Sequence, residues 1–436
     1  MPPSTSTTVV TTQAILRPIF RTAQEKIDEK HAQLGGDVGL LGSPIEDMNE
    51  CPNSIGFFRK YSNGMIYWNP DTDAHEIHGS ILGTWSSLGF ERSFLGYPLT
   101  DESSTPDGVG RFNHFQGGSI YWTPDTGAHE VHGAIRDKWQ SMGWERSFLG
   151  YPFTDESPTP DGVGRFNHFQ GGSIYWTPDT GAHEVHGAIK ERWAALGFER
   201  SFLGFPVTDE TDFTEGGRIS VFQGGEIYFW PDTGAIELND VVVHYTGLIC
   251  FGETDSDQLS NSDEPYVVMG IITPTGTSTS RTEIMEDVDG GESRPGLIEL
   301  YRGKPRGMTI NVLLMEHDDD DPDKYKAAMT SAVGAVAGGI AALTVLIPIV
   351  GPFLAAPIGT LLGTITPDVG KFLNELLDTQ DDVIGQTTIA LTPKMMVILA
   401  ARTPNSTDRG VGFKASTDLI SGLGASYKVY FGLVPA

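Results

Sequence analysis

The sequence predicts a mainly β protein with short helices. Four helix-plus-small-β-sheet repeats, stacked in a ring or solenoid, precede a β-sandwich that carries an inserted apolar helical hairpin. Three observations predict this. Leu-Gly-x-Pro occurs at Leu41, Leu95, Leu149 and Leu203, each 54 residues after the last. An apolar helical signature stands before every copy. From Val241 onward the repeat stops and long β-branched runs take over.

The helical signature is a trio at four- and three-residue steps, which places three side chains on one face. The trios are Ile27, His31 and Leu34; Ile81, Trp85 and Leu88; Ile135, Trp139 and Met142; and Ile189, Trp193 and Leu196. Gly35, Gly89, Gly143 and Gly197 follow as helix stops. After each corner the pattern turns β-like. In the second unit RFNHFQ, GGSIYWT and AHEVH are joined by turns, one of them Pro124-Asp125-Thr126-Gly127. Tyr67-Trp68, Tyr121-Trp122, Tyr175-Trp176 and Tyr228-Phe229 recur at one place. Strand neighbours point to opposite faces, so one aromatic of each pair is expected inside and the other near the surface. Units of this size cannot bury their apolar faces alone and are expected to stack. Residues 93–135 and 147–189 differ only at Leu99/Phe153 and Ser104/Pro158, and unit four reads Ile236 and Asn239 where unit three has His183 and His186.

The expected organisation is a flexible tail over 1–20, repeats over about 21–240, and a β-sandwich-like domain over 241–436 with an apolar helical insertion at about 324–378. Lys and Arg total 29 against 57 Asp and Glu, a formal net charge of −28. That balance argues against nucleic acid as a partner and leaves neutral glycans open. Cys51 and Cys250 fall in different domains, so no disulfide framework is expected. The first twenty residues lack a charged n-region and a long apolar stretch. No secretory signal is readable, and a cytoplasmic or non-classically secreted protein is expected.

The Leu-Gly-[Tyr/Phe]-Pro corner, the Gly-Gly-x-Ile-Tyr-[Trp/Phe] strand and the Thr-Gly-Ala-His-Glu-Val segment together resemble LGFP repeats. The resemblance implies a fold of actinobacterial cell-wall proteins and a role in binding cell-wall polysaccharide such as arabinogalactan. A sugar offers an apolar ring face and a rim of hydroxyls, which suits an aromatic beside polar side chains. The expected glycan-binding residues are Trp68; Trp122 with Asn113, His114, Gln116 and His129; and Trp176 with Asn167, His168, Gln170 and His183. Linked weak sites gain by avidity. His129 and His132 fall on opposite sides of a strand, which is poor metal geometry. The structural alternative is that the aromatics are core and the polar groups serve the fold.

Beyond Val241, the runs VVVHYTGLICF, YVVMGIITP, TINVLLME and MMVILAA are predicted strands, separated by acidic loops. Ser-Asp-x-Pro-Tyr-Val-like and Asp-Asp-x-Ile-Gly segments are similar to the calcium-dependent phospholipid-binding β-sandwich domain. The pattern departs from that family at the inserted Glu264 and in the long stretch before Asp381. The resemblance implies Ca2+ held by Asp255, Asp257, Asp263, Asp318 and Asp319, since calcium takes six to eight oxygens. Residues 327–367 carry no charge, and Pro348, Pro352 and Pro357 break the second half. A buried hairpin is expected, and membrane contact through 327–367 is the alternative. No Gly-x-Ser-x-Gly elbow or other catalytic constellation is present, so no enzyme activity is expected. The functional expectation is a lectin-like binder of cell-wall or surface polysaccharide. The alternatives are a membrane-active, pore-forming defence protein and, less favoured, a cell-wall hydrolase.

Overall fold

The computed structural model describes residues 8–253, 263–317, 321–344 and 382–436. The chain divides into two compact units, 1–210 with 220–223 and 211–219 with 224–436.

In the first unit, helix α1 (Thr8–Gln33) opens the chain, so residues 8–20, expected as a tail, are helical. A first four-stranded antiparallel sheet follows, β1 (Asn49–Glu50), β2 (Phe57–Tyr61), β3 (Gly64–Asn69) and β4 (Asp73–His78) in sequential order. Helix α2 (Gly79–Leu88) leads to β5 (Ser103–Ser104), β6 (Arg111–Phe115), β7 (Gly118–Thr123) and β8 (Gly127–His132). Helix α3 (Gly133–Met142) leads to β9 (Ser157–Pro158), β10 (Arg165–Phe169), β11 (Gly172–Thr177) and β12 (Gly181–His186), and α4 (Gly187–Leu196) follows.

Each helix ends because a glycine takes the left-handed conformation that β-carbons disfavour. Gly143, at φ 104°, caps α3 by donating to the Gln140 and Trp139 carbonyls. The next residue, Trp144, also sits at positive φ (60°). Its ring is held 5.1 Å from Trp139 and 6.0 Å from Tyr121, and such packing offsets backbone strain.

The paired aromatics pack on opposite faces of their sheets. Tyr67, Tyr121 and Tyr175 meet Trp85, Trp139 and Trp193 of the following helix, each at 4.7 Å. Trp68 packs with Ala23 and Ile27 of α1, and Trp122 joins the cluster containing Ile81 and Trp85 of α2. The helices α2 and α3 therefore each contact two successive sheets. This stacking is what the trio spacing and the alternating strands dictate.

The second unit holds most of a fourth sheet, β13 (Thr211–Phe213), β14 (Gly217–Phe222), β15 (Gly225–Trp230) and β16 (Gly234–Leu238). Long strands follow: β17 (Val241–Gly252), β18 (Pro265–Thr273), β19 (Gly276–Arg281), β20 (Ser293–Gly303) and β21 (Met308–Glu316). Helix α5 (Pro322–Thr344), strand β22 (Asp382–Leu391) and helix α6 (Pro393–Ala401) come next. The chain closes with β23 (Ser406–Asp408), β24 (Val411–Phe413), β25 (Ala415–Ser416), β26 (Ile420–Gly422) and β27 (Ala425–Pro435). One antiparallel sheet runs β20-β17-β27-β25 with β26 on β27, and another runs β19-β18-β21-β22.

Two segments differ from the sequence expectation. MMVILAA is helical, not extended. Thr392 caps it by accepting from the Met395 amide, and Pro393 occupies the first helical turn, where no N–H is needed. Asp382-Val383-Ile384-Gly385, part of the Asp-Asp-x-Ile-Gly segment and one of the acidic stretches expected as loops between strands, begins β22 and pairs with β21.

Helix α5 begins the apolar insertion. Tyr325, Met329 and Val333 fall four residues apart on one face and bury against Tyr266, Val268, Leu313 and Met315. Gly270 permits this approach, since a β-carbon there would lie 2.6 Å from Met329 Sδ. Residues 345–367, the rest of the uncharged stretch, lie outside the described residues. Among the described residues no helix is long and apolar enough to cross a membrane.

Candidate functional site

The joints between repeats carry the densest polar chemistry of the first unit. The short corner after the second, third and fourth Leu-Gly-x-Pro brings an Asp-Glu pair back onto the preceding sheet. Asp101 Oδ1 accepts from the Glu76 amide and faces His75 Nδ1, each at 3.1 Å. Lys30 donates to its Oδ2 at 2.7 Å. Burial opposes ionisation of Asp101, yet these donors outweigh it and hold the carboxyl down to about 2. Asp155 takes the same place against His129 and the Glu130 amide, and Asp209 against His183, Lys138 and the Glu184 amide.

The neighbouring glutamate of each pair also crosses the joint. The amides of Glu102, Glu156 and Glu210 donate to Glu76, Glu130 and Glu184 at 2.9–3.0 Å. These buried carboxylates in turn flank His78, His132 and His186.

Several residues expected to touch sugar serve these joints. Asn113 and Asn167 have no exposed surface. Asn113 Nδ2 donates to the Thr100 carbonyl at 2.9 Å, and Asn167 Nδ2 to the Thr154 and Glu130 carbonyls at 3.0 and 3.1 Å. A side chain sealed this completely meets no ligand, because the carbonyls that need it lie inside. Asn167→Ala is therefore expected to destabilise the repeat unit by about 1–3 kcal/mol, the penalty for orphaned buried carbonyls. An unchanged urea midpoint for the full chain would remove the amide from the joint.

The remaining expected residues divide in two. Trp68 is 5% exposed and packed under α1, a correction to its role as a sugar platform. Trp122 and Trp176 are half-buried against the clusters built around α2 and α3. His129 and His183 are engaged on both ring nitrogens, by an aspartate on Nδ1 and by the Thr126 or Thr180 carbonyl on Nε2. Gln116 and Gln170 are exposed, but their Oε1 atoms accept from the Tyr97 and Tyr151 amides and so pin the corners. His114 and His168 contact Ser119 and Ser173. Burial, with Arg136 near one and Lys190 near the other, pushes both rings down to about 4.

A row of exposed aromatics was not singled out in the sequence. Phe94, Phe148 and Phe202, each directly before a Leu-Gly-x-Pro corner, are 51%, 53% and 64% exposed. Phe94 lies 4.3 Å from the His132 ring and Phe148 4.4 Å from that of His186. The signal available was an aromatic recurring at a fixed offset from a motif whose Leu is buried.

In the second unit, Asp263 is 1% exposed and accepts from Tyr427 Oη at 2.5 Å. Asp255, Asp257, Asp318 and Asp319 lie outside the described residues. Among the described residues no group of three His, Cys, Asp or Glu side chains forms a metal site.

These features define a tandem-repeat protein whose unit is a helix, a tight corner and a four-stranded sheet. Four LGFP repeats are found in the chain, matching residues 41–93, 95–147, 149–201 and 203–243. No curated protein matches it. A crystal structure of the extracellular domain of a hybrid two-component system from B. thetaiotaomicron aligns with 66% of this chain and 36% of its own at 10% identity. The TM-score is 0.12, and the likeness carries no argument.

Proposed function

We propose that the repeat array is a carbohydrate-binding surface for a cell-wall or other surface polysaccharide, with no catalytic step. The observation that carries this reading is the row of Phe94, Phe148 and Phe202. Large apolar rings stand exposed directly before three of the four Leu-Gly-x-Pro corners, at one equivalent position where a partner could be met repeatedly. Two of them are backed by an imidazole, with carboxylates alongside, a setting that suits a sugar's apolar face and hydroxyl rim. The net charge of −28 disfavours polyanions and leaves a neutral polymer. The resemblance of LGFP repeats to cell-wall-associated arrays supports the same class. Repetition along the chain lets weak contacts add by avidity. Calcium belongs to this proposal only as a condition to vary.

The test is glycan-array binding by the full chain, with calcium and with chelator, against a Phe94→Ala/Phe148→Ala/Phe202→Ala variant. Exposed positions away from the core change stability by about 0.5 kcal/mol or less each, so the variant should fold. Binding is expected to fall by roughly tenfold or more, since three linked contacts are lost together. A parent chain that retains no glycan would end the carbohydrate reading. A variant that binds like the parent would move the site away from this row.

A further inference from the structure

His78, His132 and His186 each end the last strand of a sheet, and each has a buried carboxylate on either side. Nδ1 lies 2.8 Å from Oε2 of Glu76, Glu130 and Glu184 respectively. Nε2 lies 3.4, 3.2 and 3.5 Å from Oε1 of Glu102, Glu156 and Glu210. The first carboxylate of each pair is two residues back on the same strand. The second follows the next Leu-Gly-x-Pro corner, so each ring spans a joint. All six glutamate side chains are between 2% and 8% exposed.

Hydrogen-bond inventory then decides what the ring must be. A neutral imidazole has one N–H and one lone pair, whereas imidazolium has two N–H groups. Only the protonated ring can donate to both carboxylates. On losing its proton it turns a lone pair toward one of two buried negative charges, which is the costly arrangement. The rings are 21–25% exposed, so water relieves part of this cost at the imidazole and little of it at the sealed glutamates.

We infer that protonation of His78, His132 and His186 clamps successive repeats together and so controls the polysaccharide face formed where Phe94 and Phe148 lie against the His132 and His186 rings. The clamp itself stands on the joint geometry. Its effect on ligand rests on the carbohydrate reading above.

The net shifts of His78 and His132 are both upward. The hydrogen bond that the ring donates to Glu76 raises His78 above the ordinary histidine value. For His132, burial pulls downward, and the contacts with Glu130 and Glu156 outweigh it, so the ring is raised. Arg111 and Arg165 oppose these shifts, one from each following sheet. Burial pushes Glu102 and Glu156 upward, which acts against the clamp, since a protonated carboxyl could donate to a neutral ring. A histidine raised in the folded state stabilises fully below its unfolded value of about 6.5 and loses that contribution as pH rises through the folded value. The clamp should therefore loosen above about pH 6.5. His114 and His168, held down to about 4, change charge below that window.

The experiment uses the full chain. Imidazole titrations by NMR and urea midpoints are followed from about pH 6 to about pH 8.5, the range of histidine charge change. Retention on immobilised arabinogalactan is measured over the same range. His78 and His132 are expected to titrate above the ordinary value, and repeat-unit stability to fall as they do. Retention is expected to drop by roughly threefold or more, as linkage between protonation and joint closure requires. His132→Gln, which keeps a donor but takes up no proton, should blunt both trends, and the parent's own titrations need no variant. Rings titrating at or below the ordinary value would overturn the clamp. Retention that stays constant while the rings titrate would overturn its control of the ligand face. Titration and stability behaving as expected, with no retention at any pH, would support the clamp and sink the polysaccharide reading instead.

Discussion

Arg306→Ala should destabilise the second unit by about 3–5 kcal/mol, the usual penalty for leaving one partner of a buried ion pair alone. The guanidinium donates from Nη2 to Glu226 Oε1 and from Nη1 to Tyr228 Oη, the latter at 2.7 Å. Tyr228 Oη donates to the other oxygen of the same carboxylate. Glu226 is 2% exposed and Tyr228 has no exposed surface. Phe213 and Tyr228 rings lie 5.6 and 5.8 Å from the guanidinium carbon, so the cation is also held by aromatic faces. Burial disfavours the charge on Arg306, yet Tyr228 and Glu226 overcome it and hold the guanidinium protonated. Removing the cation would leave a carboxylate in an apolar pocket with one hydroxyl donor. Replacing both charges, as Arg306→Met with Glu226→Leu, should recover most of the loss, because neither half is then orphaned. Amide exchange of β14–β16 in urea would measure both variants. A loss below about 1 kcal/mol for Arg306→Ala would mean that Glu226 finds water or another donor.

That triad illustrates what the sequence could and could not show. Periodicity made the repeat unit legible, because a 54-residue step fixes which residues play equivalent parts. Trp85, Trp139 and Trp193 fell on the predicted helix faces and are fully buried. The alternation rule separated Tyr121 from Trp122, but not what covers each face. Both sides of a sheet meet a helix in a stacked array, so the half-buried Trp122 packs instead of standing free. The burial of Asn113 and Asn167 was hidden for a related reason. Composition shows a polar amide and not the carbonyls 37 residues earlier in the chain that need its hydrogens. The pairing of Glu226 with Arg306 likewise joins residues 80 positions apart. MMVILAA looked like a strand because a short apolar run has no readable period. The Thr392-Pro393 cap decided it.

Trp139→Ala should destabilise the repeat unit by about 3–5 kcal/mol, as expected when a large buried ring leaves a cavity. Its ring meets Tyr121 at 4.7 Å on the sheet before it and Phe169 at 5.3 Å on the sheet after it. One side chain therefore fills the space between two sheets, and neither can collapse into the gap without moving the other. The substitution should also disturb Trp144, whose positive φ is held by an edge-to-face contact with Trp139. In a stacked array each unit is stabilised mainly through its neighbours, so weakening this interface should broaden urea unfolding of the first unit or split it into two steps. Trp139→Phe keeps an aromatic in contact with both sheets and should lose about half as much or less. By contrast, Phe94→Ala touches an exposed ring of similar size and should leave the midpoint nearly unchanged. Opposite outcomes for these two aromatics would separate the residues that build the array from those it presents. Equal destabilisation by both would mean that Phe94 belongs to the core, and the proposed sugar face would lose its principal residue.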